Sequence, residues 1–276
     1  MTEIAKGSYE RGVTNRVRKT PALLRALPAI LPSVMFCVVL LLLWEGMARY
    51  EASPLVPSVG EVAAEAKRIL SGGLALQQIG ITLGRILLGF SVAFSLSIIL
   101  GIVAARNVFA RRFLEPSIIL GLTVPGLVWA LLCVIWFGVS LTTPVVSIAL
   151  GVFPALVLHV IQGVQSVDAE LIEMAKIFRL SRRDKFLHLW IPSLLPYLIS
   201  GSRVGLSLAW KVIVLVELFG LSNGVGYQLN SEFSSQNVAG VLAWTIVFWV
   251  VMIVIEYGIL QTLEKRATIW RRVAAT

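Results

Sequence analysis

The chain has 276 residues, 57% of them hydrophobic and 14% charged, with a formal net charge of +9. Its mean hydropathy of +0.86 is more than a soluble core can bury, because the excess apolar side chains would face water. A water-soluble globular protein is therefore excluded, and the basic excess has to be read against a lipid surrounding.

A hydrocarbon layer of about 30 Å is crossed by roughly 20 apolar residues in a helix, where every backbone polar group is satisfied internally. Six such runs are predicted, at about 28–48, 82–105, 117–137, 144–164, 194–217 and 238–260. The fold class is thus all-α integral membrane with six transmembrane helices. Residues 1–26 form a polar, basic tail expected to be poorly ordered or on the lipid surface, and a single membrane domain is assigned to 27–276. The stretch LPAILPSVMFCVVLLLLWEGMA, with Gly46, Met47 and Ala48 at its end, has the outline of a secretory signal. Its apolar run exceeds the usual length of about 7–15 residues, so it is read as a retained first span.

Between the first two spans, PSVGEVAAEAKRILSGG has Ser58 three residues before Glu61, a capping-box spacing, and Gly72 and Gly73 as a stop. A short outer linker helix is expected, with Val62, Ala66, Ile69 and Leu70 able to rest on the membrane surface. Glu45 and Arg85 lie near outer span ends, which suggests an interhelical pair. Pro125 and Gly126 interrupt the third span, either as a packed kink or as a break that exposes backbone groups to a cavity. Cys37 and Cys133 lie in apolar runs and read as buried packing residues. His159 and His188 are too isolated to form a ligand set, so no metal site is expected.

After the fourth span comes a charged island, EMAKIFRLSRRDKFLHLWIP, residues 173–192. Asp168 caps a helix carrying Glu170 and Glu173 early and Lys176 and Arg179 late, which matches acids and bases to the helix dipole. Leu171, Met174, Ala175 and Phe178 recur at helical spacing and give it an apolar stripe. Ser181, with Asp184 at capping-box distance, opens a second helix that passes Pro192 and Pro196 into the fifth span. Such a knob suits a partner's groove, or lies at the lipid headgroups.

In the fifth span Gly201, Gly205 and Ala209 form a small-residue face for close helix packing. Lys211 sits near mid-span, where an ionisable group is expensive unless paired or facing water. It reads either as an attractor for an anionic substrate or as a structural partner of Glu217, Glu45 or Glu256. Arg203 is closer to the inner end and is placed to snorkel. The stretch GLSNGVGY, 220–227, reads as an outer turn.

With the first tail inside, the cytoplasmic segments hold 18 of the 24 basic residues: those of the tail, Arg106, Arg111 and Arg112, the five between Lys176 and Lys185, and Lys265, Arg266, Arg271 and Arg272. The outer loops keep Arg49, Lys67 and Arg68. This is the positive-inside pattern, so both termini are expected in the cytoplasm, and the basic charge reports topology rather than nucleic acid.

Glu173-Met174-Ala175, then Arg179, then Leu189-Trp190-Ile191-Pro192 resembles the EAA loop of ATP-binding-cassette importer permeases, here spanning about 165–193. Met174 replaces the middle alanine, and Arg179 stands where the family has glycine, at a turn where φ is often positive. Over roughly residues 54–272, Pro54 to Ser58, Ile135-Trp136-Phe137-Gly138, Trp210-Lys211 with Glu217, Gly224-Val225-Gly226-Tyr227 and Trp270-Arg271-Arg272 are similar to the permeases for aliphatic sulfonates, taurine, nitrate and pyrimidine precursors. The resemblance implies a type I importer permease fold in the bacterial inner membrane. It implies a homodimer, two ATPase subunits and an extracytoplasmic solute-binding protein, with ATP and Mg held by the ATPase. Glu170, Leu171, Glu173, Met174, Ala175, Phe178, Arg179 and Pro192 would then form the coupling element, and Pro125, Trp210, Lys211 and Glu217 are candidates for the substrate path. The chain has no G-x-x-x-x-G-K-[ST] run with which to cradle a nucleotide, so it is expected to be a permease, not an enzyme, with no cofactor of its own. The alternative is an ion-coupled secondary transporter using Lys211 and Glu217. A membrane enzyme ranks third, for want of clustered His, Asp or Cys in a span.

Overall fold

The computed structural model describes residues 22–51 and 53–262, all helices and short connections. The basic tail up to residue 21 and the closing segment with Lys265, Arg266, Trp270, Arg271 and Arg272 lie outside the described residues. The ends of the molecule are named inner and outer from the charge distribution.

Residues up to Ala52 form one unit and those from Ser53 another. The first contains α1, Ala22–Glu51, which covers the first expected span. Its large apolar residues Leu31, Met35, Phe36, Leu42 and Leu43 are exposed, as side chains meeting lipid would be. Cys37, expected to be buried, is also exposed, whereas Cys133 is buried.

The second unit opens with α2, Val59–Ser71, whose capping box forms as its sequence dictates: Ser58 accepts from the Glu61 amide and the Glu61 carboxylate accepts from the Ser58 amide. Val62 and Ile69 are buried and α2 packs on α11, Val238–Ile253, so these two rest on protein, while Ala66 is half-buried and Leu70 exposed. Gly73, with φ +71°, turns the chain directly into α3, Leu74–Arg106. That span begins eight residues before the expected start at 82, and the added turns carry Ala75, Gln78 and Ile79, all buried.

The expected third span is not one helix. α4, Val108–Thr123, and α5, Gly126–Phe137, meet at 101°. Pro125 disfavours helical ψ at Val124, and Val124 is extended. α6, Thr142–Gln165, forms the central span and packs against both α3 and α9, Ile191–Gly220. The small-residue stripe does what its spacing predicts. A side chain on Gly201 would strike His159, and one on Gly205 would meet Leu156, Val152 and Phe90, so α9 rides close on α6.

The inner connection holds α7, Ala169–Ile177, and a single turn α8, Arg182–Lys185, followed by a π-helical turn Phe186–Trp190 that runs into α9. At the outer end α10, Val225–Ser234, bends 50° from the α9 helix and leads into α11, which continues as a π-helical run Val254–Leu260. Among the described residues Leu74–Arg106, Thr142–Gln165 and Val238–Gly258 are each long and apolar enough to cross a membrane, and five spans result if each bent pair counts as one.

Candidate functional site

Three features carry candidate residues: an inner knob, a mid-span lysine beside a broken helix, and an outer polar bracket.

The knob is built locally. Asp168 caps α7 by accepting from the Glu170 amide at 2.9 Å. At the other end the Arg179 amide donates to Lys176 O and the Leu180 amide to Ala175 O, at 3.0 and 3.1 Å, the bond pair of a Schellman motif. Such a motif needs a left-handed residue at its centre, and Arg179 occupies it with φ +48°. The arginine therefore takes the backbone conformation glycine usually serves, and the turn is kept. Ser181 then starts α8, accepting from the Asp184 amide and donating to its carboxylate at 2.6 Å.

The apolar stripe divides between two surfaces. Ala175 is buried and Ile172 packs with Val160, Val164, Val167 and Leu194 of the bundle. Ala175 thus anchors the knob and does not belong to its free face. Leu171, Met174 and Phe178 are exposed, joined by Ile177 at 78% exposure, the largest among the large apolar residues of the knob. Glu170 and Glu173 are exposed, and Pro192 lies in the first turn of α9. Behind the knob the Arg106 guanidinium sits 4.9 Å above the Trp190 ring and ties the inner end of α3 to the π-helical turn.

A left-handed conformation costs a side-chain-bearing residue about 1–2 kcal/mol relative to glycine. Arg179→Gly is accordingly expected to leave function intact and raise the thermal midpoint by roughly 2–4 °C. A lower midpoint in a melting experiment would mean that the arginine side chain, not the turn, holds the knob.

Lys211 is exposed in the single chain, with Nζ 5.9 Å from the Trp210 ring. It forms no ion pair among the described residues. Its neighbour Val212 lies against Gly126, within 3.2 Å of where a side chain on that glycine would begin. The α4–α5 break at Pro125 and Lys211 are therefore at one level. Pro125 offers no side-chain acceptor to the first amides of α5. Trp210 packs edge-on against Phe248 of α11 at 6.2 Å and lines a narrow cleft with Arg203, Ser207, Met252 and Glu256. Glu256 thus shares its cleft with Arg203 rather than with Lys211.

The outer bracket was only half visible in sequence. Glu217, entirely buried, accepts from Arg85 Nη1 at 2.7 Å, from Thr82 Oγ1 at 2.9 and 3.0 Å, and from the Gly226 amide at 3.0 Å. Arg85 also donates to the backbone O and Oδ1 of Asn223, Thr82 Oγ1 accepts from the Val225 amide, and Gln78 Oε1 accepts from the Gly224 amide. Arg85, expected to pair with Glu45, binds Glu217 within its own unit, and Glu45 accepts from Arg49 one turn away in the other. In sequence Glu217 reads as a partner for Lys211, not for Arg85; it is buried and also receives the Gly226 amide. The missed participants, Gln78 and Thr82, stand at i and i+4 before Arg85 at i+7, one helix face opposite a glycine-rich turn. On the same side Arg68 bonds Glu65 at 2.6 Å and Glu232 at 3.2 Å, and Glu232 accepts from Asn237. The Glu65 hydrogen bond is the main reason the Arg68 guanidinium stays above its ordinary pKa.

The family model for binding-protein-dependent transport system inner membrane components matches residues 97–268. The chain is 29% identical, over 97% of its length and 96% of the relative's, to the putative aliphatic sulfonates transport permease protein SsuC of Bacillus subtilis. It is 32% identical, over 70% of each chain, to the taurine transport system permease protein TauC of Escherichia coli. To the nitrate import permease protein NrtB of Synechococcus elongatus it is 31% identical, over 57% of this chain and 56% of that one.

Proposed function

The chain belongs to the binding-protein-dependent transport system inner membrane component family, and from that membership we propose that it is the permease subunit of an ATP-driven importer of a small organic or inorganic anion. In this reading two copies form the pathway, two ATPase subunits dock on the inner knobs, and a solute-binding protein delivers cargo at the outer face. ATP and Mg belong to the ATPase partner. The observation that carries the reading is the knob, a capped helix anchored inward through Ile172 and Ala175 while Leu171, Met174, Ile177 and Phe178 stay uncovered. That is the form of a helix made to enter a groove.

An unpaired, exposed ammonium within a span is not tolerated against lipid. Lys211 therefore favours a second copy or a water-filled path against this face of α9. Beside it, the uncapped amides at the start of α5 add partial positive charge at the same level. Sulfonate, taurine and nitrate, the solutes in the relatives' names, fit such a site. Pro125, Trp210 and Lys211 form the path on this reading, whereas Glu217 belongs to the outer bracket. The ion-coupled alternative is disfavoured because Lys211 forms no ion pair with Glu217, which is entirely buried and already bonded to Thr82, Arg85 and the Gly226 amide.

Co-expression with the cognate ATPase and binding protein tests the proposal: uptake of labelled anion that stops when the ATPase's Walker lysine is replaced. Uptake that persists without ATP hydrolysis, driven by an ion gradient, would return the secondary transporter. For the path, Lys211→Met is expected to lower uptake at subsaturating anion by about tenfold, the loss of roughly 1.4 kcal/mol of attraction, while Lys211→Arg retains most of it. Equal uptake by the methionine variant and the native protein would take Lys211 out of the path.

A further inference from the structure

α9 runs unbroken for 30 residues, about 45 Å at 1.5 Å per residue. Its inner end continues through the π-helical turn to α8 and the knob. Its outer end carries Glu217, the centre of the bracket. From α3, Gln78, Thr82 and Arg85 reach the segment 221–226 on three successive turns, and each holds a different residue of it: Gly224, Val225 and Asn223. Gly224 and Gly226 bring the backbone so close to α9 that a side chain on either would overlap the Glu217 side chain. Helix α10 begins within this segment, at Val225, and carries Phe233 exposed at 74%, so the outer surface is fastened to the strut that ends in the knob. Separating α10 from α9 would take the Gly226 amide from the buried Glu217 carboxylate and Asn223 from Arg85, leaving two buried charged groups short of hydrogen-bond partners, which is strongly unfavourable.

We infer that the bracket of Gln78, Thr82, Arg85 and Glu217 is a transmission joint, through which a binding protein docked on the outer segment is sensed along α9 by the ATPase at the inner knob. The inference rests on the importer reading. Gln78 and Thr82 are positioning residues here: they touch neither cargo nor ATPase, and act by holding the amides of Gly224 and Val225.

The test uses the whole permease–ATPase complex in lipid nanodiscs, with ATP hydrolysis measured with and without cargo-loaded binding protein. Two variants are compared with the native complex: the shape-conserving double Gln78→Leu, Thr82→Val, and Arg85→Met as a harsher second. Hydrogen exchange at residues 222–228 reports whether the joint has loosened. The expected result for the double variant is faster exchange there, unchanged basal hydrolysis, and a stimulated component reduced at least about fivefold, a coupling loss of roughly 1 kcal/mol. Stimulation equal to native in a variant whose segment exchanges freely overturns the inference and leaves the importer reading standing. A native complex whose hydrolysis does not respond to any binding protein overturns that reading and the inference with it.

Discussion

Replacing Gly224 by alanine is expected to keep the protein from accumulating as a folded, monodisperse species, with a loss of at least about 4 kcal/mol. Two costs add at this position. The backbone lies at φ +103° and ψ 172°, a region essentially reserved for glycine, where another residue pays about 1–3 kcal/mol. The new methyl would also fall 2.3 Å from the Glu217 carboxylate carbon and Oε1, a distance no contact tolerates, so the carboxylate must leave Arg85, Thr82 and the Gly226 amide. Gly73→Ala separates the two costs. That residue also has positive φ, +71°, but nothing stands within 4 Å of the added methyl, so only the backbone cost of about 1–2 kcal/mol remains. Size-exclusion profiles and thermal melts of the two variants check the difference, and similar mild losses in both would mean that the bracket yields easily. A double-mutant cycle with Glu217→Ala sharpens the result. In that background Gly224→Ala should cost little beyond its backbone strain, a departure from additivity that only a direct clash produces.

What could be read in the sequence was what local chemistry encodes. Ser58, Asp168 and Ser181 cap helices because a short side-chain oxygen next to an apolar-periodic run has few other uses. Gly201 and Gly205 met α6 because four-residue spacing puts them on one face, where Ala209 is buried as well. The break at Pro125 was visible, but its 101° angle was not, since a proline says where a helix stops and not where the next one goes. Tertiary choices stayed hidden. Arg85 reads in sequence as a partner for Glu45, and Glu217 as one for Lys211, yet Arg85 binds Glu217, 132 residues away. Ala175 shared its periodicity with Leu171, Met174 and Phe178, yet a short helix between bundle and water has apolar groups on both sides, and spacing alone does not divide them. The outer turns of α3 were lost for a related reason. Gln78 lowered the apolar count there, although it is buried, because its side-chain oxygen is used by the Gly224 amide.

The knob gives the second large effect. Insertion of four glycines after Phe178 is expected to abolish uptake while ATP hydrolysis by the partner continues, and Glu173→Lys to do so in large part. The insertion places glycines where Arg179 and Leu180 close the end of α7, so that turn can still form. The added length nevertheless separates α7 from Ser181 and α8, and α7 loses its fixed angle to α8 and α9. Glycine also offers the widest backbone freedom of any residue, so displacement of α7 is absorbed in the linker before it reaches the span. Glu173→Lys acts differently. Glu173 is exposed and forms no ion pair among the described residues. Its replacement should therefore change the chain's own stability by only about 0.5 kcal/mol, including the like-charge contact with Lys176 at i+3. A large loss of uptake must then arise at the surface α7 presents to another protein, where a reversed charge placed against a partner costs several kcal/mol. Hydrolysis and uptake measured on the same proteoliposomes separate the cases. Hydrolysis without uptake is the expected signature, loss of both together indicates failed docking at the same surface, and normal uptake by both variants removes α7 from the coupling path.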